Sequence, residues 1–66
     1  MINWKTLHVG DKLTFHVTEF DGTTTIPGFV VTETCDDYAV AKSADMTMLV
    51  DDDTQHMFRR EMTKSW

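Results

Sequence analysis

Residues Lys12 to Glu19 alternate strictly, with Leu13, Phe15 and Val17 facing one way and Thr14, His16 and Thr18 the other. Period two is the signature of a half-buried β-strand. A strand of this kind has one apolar face and two open backbone edges, so it obliges the chain to supply partner strands. Asp21-Gly22 follows as a hairpin turn signal, and the threonine run Thr23 to Thr25 resumes an extended path. Composition agrees: eleven threonines and six valines, β-branched and suited to pleated sheets, stand against three alanines and three leucines.

The rest of the chain repeats this grammar. Val9-Gly10-Asp11 reads as a turn entering the first strand. Pro27 removes a backbone donor beside Gly28, which marks an edge, a bulge or a bend. Phe29 to Thr34 continues as a strand, with Phe29 and Val31 on one face and Val30 on the other. Cys35-Asp36-Asp37 is a turn, and Tyr38 to Lys42 is a short strand whose Ala39 and Ala41 form a small face suited to close packing. Ser43-Ala44-Asp45 is a tight turn before a strand from Met46 to Val50. Residues 54–64 are compatible with two readings. Asp51 to Thr54 can cap a helix carrying Met57, Phe58, Glu61 and Met62, with Asp52 and Gln55 at capping-box spacing. Alternatively, a strand puts His56, Phe58, Arg60 and Met62 on one face.

The expected architecture is therefore mainly β: a small, bent antiparallel sheet or barrel of four or five strands forming one domain over residues 1–66, with a C-terminal helix as the variant. The succession Val9-Gly10-Asp11-Lys12-Leu13, Pro27-Gly28-Phe29-Val30-Val31, Tyr38-Ala39-Val40 and Met48-Leu49-Val50 resembles an SH3-like barrel. That resemblance implies a fold and a generic binding role rather than an activity. The aromatic pairs of a proline-peptide groove are missing.

Charge narrows the function classes. The net charge of −5 runs against general nucleic-acid backbone binding, which depends on lysine and arginine. No apolar run approaches the roughly 20 residues of a membrane-spanning helix. The start, Met1-Ile2-Asn3-Trp4-Lys5, does not read as a signal peptide. Cys35 is the single cysteine, which permits no internal disulfide and fits a reducing, cytoplasmic setting. A chain of this size buries only about 60% of its unfolded surface, so self-association into a homo-oligomer is a reasonable expectation.

Between Glu19 and Asp53 the chain carries nine acids and one base, a net −8, and most of the acids fall in turns. An acidic face of this kind suits a protein partner with a basic surface, because complementary charge raises association rate and specificity. The competing explanation is that turn aspartates support turns and solubility. Asp51, Asp52 and Asp53 lack EF-hand spacing, and neighbouring residues of one strand point apart, so no metal site is expected. His8, His16 and His56 lack the paired spacing of zinc ligands. Asp36 and Asp37 oppose a thiolate at Cys35, so no catalytic nucleophile and no cofactor are expected.

The expected function is non-catalytic binding. The chain reads as an accessory or inhibitory protein docking on a larger macromolecule, a pattern common among virus-encoded, including phage-encoded, modulators. Asp36, Asp37, Asp51, Asp52 and Asp53 would steer, and an apolar patch of Met46, Met48 and Trp66 would add affinity. One alternative is a homo-oligomeric binder of a small anionic or nucleotide-like ligand, using Tyr38, Lys42, Arg59 and Arg60 at a subunit junction. Another is a subunit of a larger assembly.

Overall fold

The computed structural model describes residues 2–61. They form one five-stranded antiparallel sheet: β1 (Lys12–Glu19), β2 (Gly22–Thr34), β3 (Ala39–Lys42), β4 (Thr47–Val50) and β5 (Phe58–Arg60), in the order β4-β3-β2-β1-β5. The mainly β expectation stands. Full closure into a barrel does not, because β4 and β5 lie at opposite edges of the hydrogen-bonded order. Residues 54–61 form no α-helix. A short 3-10 turn, Gln55–Met57, leads directly into β5, where Phe58 pairs with Phe15 and is fully buried. Burying that ring against β1 outweighs the capping signal at Asp52 and Gln55.

The β1–β2 hairpin turns on Phe20 and Asp21, one residue earlier than Asp21-Gly22, since Glu19 already pairs with Gly22. The expected loop would place Asp21 in the left-handed region, and no residue other than glycine has a positive φ among the described residues.

β2 is a single thirteen-residue strand bent by two irregularities. Leu13 pairs with Phe29 and Phe15 with Ile26, so Pro27 and Gly28 together oppose Thr14. This bulge uses the proline's missing donor and the glycine's φ of +91°. The Glu61 carboxylate fills it, accepting the Gly28 N–H at 3.0 Å. A second offset, between Val31 and Glu33, lets the far half of β2 pair with β3.

The bends fold the sheet over one core of Trp4, Leu7, Leu13, Phe29, Val31, Ala39, Ala41, Val50 and Phe58. Phe15, Phe29 and Phe58, from three adjacent strands, form a triangle with ring centroids 5.5–6.4 Å apart. Each tilted pair adds about 0.5–1.5 kcal/mol beyond its area burial. Ala39 and Ala41 are fully buried, as the small face required. The open side of the sheet receives the N-terminal 3-10 turn, Trp4–Thr6, capped by the Asn3 side chain, which accepts the Lys5 N–H.

Candidate functional site

The acidic residues are gathered by strand register. Ala39 of β3 pairs with Val50 of β4. The Cys35–Tyr38 turn immediately precedes Ala39, and the Asp51–Thr54 turn immediately follows Val50. Asp36, Asp37, Asp51, Asp52 and Asp53 therefore lie at one end of the sheet, with Glu33 on the adjoining stretch of β2. Asp45 sits in the β3–β4 turn at the other end.

These carboxylates are not equivalent. Asp51 builds its turn: Oδ1 accepts the N–H groups of Asp53 at 2.9 Å and Thr54 at 3.1 Å. Asp52 holds the N-terminal segment, its Oδ1 accepting the Trp4 indole N–H at 2.8 Å. Gln55 completes the anchor by accepting the Trp4 backbone N–H at 3.1 Å. For Asp51 and Asp52 the turn-supporting explanation is thus met by specific bonds. Asp36, Asp37 and Asp53 are exposed and make no side-chain hydrogen bond among the described residues.

Between the acidic end and the N-terminal turn lies an open cleft of about 280 Å³, lined by Trp4, Lys5, Leu7, Thr34, Cys35 and Asp36. It falls just below the roughly 300–1,000 Å³ of small-molecule sites. Lys5 places its Nζ 5.9 Å from the Trp4 ring centroid, a cation held over an indole face beside Asp36. Tyr38 closes the same turn. Cys35 raises its phenol pKa, favouring the protonated form by hydrogen bonding and by charge, and Glu33 and Asp37 add to the effect. Lys5, and the anchoring of Trp4 by Asp52 and Gln55, were not expected at this site. The local signal for the N-terminal turn was the Asn3 cap followed by Trp4 and Leu7 at helical spacing, too short a motif to stand out.

The expected apolar patch is redistributed. Met46 is 42% exposed beside the β3–β4 turn, away from the acidic end. Met48 pairs with Ala41, so it points inward and packs half-buried on the core. Leu49, opposite Val40, is the apolar residue β4 shows on the outer face, 49% exposed. Trp66 lies outside the described residues.

The alternative ligand set is not brought together within one chain. Two strands separate β3 from β5. Tyr38 is at the acidic end, while Lys42 and Arg59 lie on the outer face opposite Val30 and Thr14. Arg60 is engaged structurally: its guanidinium donates to Asp11 Oδ2 at 3.0 Å and to the Thr6 hydroxyl at 3.1 Å. Among the described residues, no three His, Cys, Asp or Glu side chains are grouped to hold a metal ion, and no helix is long and apolar enough to cross a membrane.

Comparison with known protein families, with curated proteins and with solved structures finds no match to this chain.

Proposed function

We propose that this chain is a non-catalytic docking protein whose acidic end engages a basic surface on a larger protein. The observation that carries this reading is the register pairing of Ala39 with Val50, which collects acids distant in sequence at one end of the sheet. The carboxylates of Asp36, Asp37 and Asp53 support it most directly, since these residues are exposed and their side chains make no hydrogen bond among the described residues. Charge concentrated in this way steers encounter and sets orientation more than it sets affinity. Inhibition of the partner is the form of action we favour, because occupying a basic surface blocks whatever anion that surface serves.

The test is affinity capture from lysate with the natural chain and with a variant carrying Asp36→Asn, Asp37→Asn and Asp53→Asn. The captured basic partner should associate about tenfold more slowly with the variant, with a flatter salt dependence. Equal association rates at low salt would exclude acidic steering.

A further inference from the structure

The two edges of the sheet differ in how they are protected. β5 carries Arg59 and Arg60 in a strand of three residues. β4, Thr47-Met48-Leu49-Val50, has no charge, no proline and no bulge, the usual devices that blunt an edge.

Its open hydrogen-bonding groups follow from the ladder. The Ser43 N–H donates to the Met46 carbonyl, so Met46, Met48 and Val50 bond inward to β3. Thr47 and Leu49 then point their backbone groups outward. The Leu49 carbonyl already accepts the Thr54 hydroxyl at 2.8 Å. Among the described residues, the Thr47 N–H, the Thr47 carbonyl and the Leu49 N–H are left, a set matching the first three bonds of an antiparallel neighbour.

Charge selects the occupant. Asp45 stands before β4, and Asp51, Asp52 and Asp53 stand after it. A second copy pairing antiparallel, centred on Met48, would set Asp45 against Asp51 at both ends of the joint. An extended segment with cations at its ends and apolar residues between them would set opposite charges there and cover Leu49.

We propose that β4 accepts such a segment from a partner protein as a sixth strand. This deepens the docking reading, on which it rests, by giving the form of the partner at this edge.

The probe is the capped heptapeptide Lys-Thr-Val-Thr-Val-Thr-Lys, titrated into the full chain and followed by amide NMR. Saturable shifts should centre on the Thr47 and Leu49 amides, with slowed hydrogen exchange there. N-methylating the valine opposite Thr47, which leaves the protein unaltered, should weaken binding at least tenfold. Replacing both lysines with glutamate should do the same. The Asp36→Asn/Asp37→Asn variant separates the two readings: it should slow association with the captured partner, yet keep peptide affinity within twofold. Undiminished binding of the N-methylated peptide would overturn the proposal, as would shifts confined to Asp36 and Asp37 or no binding at millimolar concentration. Protection of Thr47 in a dimer without peptide would assign the edge to a second copy instead.

Discussion

At the scale of single residues, similar side chains do different work, and the difference is measurable. Asp52 accepts a buried indole N–H, whereas Asp36 makes no hydrogen bond among the described residues. Asp52→Ala should cost about 1–3 kcal/mol in urea unfolding, because it leaves the Trp4 N–H without its acceptor. Asp36→Ala should stay within about 0.5 kcal/mol. Asp11 provides the pH test. Its pKa is lowered first by the His8 N–H and then by Arg60, with partial desolvation opposing. A lowered folded pKa stabilises the ionised form. The contribution is therefore complete at neutral pH, fades from about the unfolded value of 3.8, and is lost as pH falls through the folded value. Asp11→Asn should cost about 0.5–1 kcal/mol at pH 7, an amount suited to a partly exposed pair. The stability curves of the two proteins should converge near pH 2; a constant gap would mean that charge is not the cause.

At the scale of elements, β2 decides the shape. It serves two neighbours by bending at the Pro27-Gly28 bulge and again near Thr32. A Cβ added at Gly28 would meet nothing within 4 Å, so its penalty is purely conformational. Gly28→Ala should destabilise by about 1–2 kcal/mol, the cost of holding an L-residue at positive φ. Gly28→Asn should recover part of that loss in the same thermal melt. The proline and glycine marked this bend in the sequence, because both act through local backbone geometry. The Glu61 carboxylate that occupies the bulge was not legible, since it arrives from 33 residues away.

At the scale of the whole molecule, the acidic end sets stability against charge. Like carboxylates held at one end repel, and a net charge of −5 adds to the strain. If Asp36, Asp37 and Asp53 serve a partner rather than the fold, replacing all three with Asn should leave the chain as stable or up to about 0.5 kcal/mol more stable at low salt. That gain should vanish in 0.5 M salt. A clear loss of stability in denaturant unfolding would instead return these acids to turn support.

Local periodicity determined much of this protein by itself. The alternation of Leu13, Phe15 and Val17, the small Ala39 and Ala41 face, and the breaks at Gly10, Pro27 and Asp36-Asp37 lie within reach of neighbouring residues. Such features fix which segments extend and which turn. Residues 54–61 escaped that logic because their helical and extended patterns were nearly balanced, and only the contact of Phe58 with Phe15 and Phe29 resolved them. The site was hidden for the same reason. That Asp36 and Asp53 share one end, that Asp52 holds Trp4, and that Met48 turns inward while Leu49 turns out are consequences of strand register. Register is set by long-range pairing of a bent sheet over its core, and a local pattern carries no record of it.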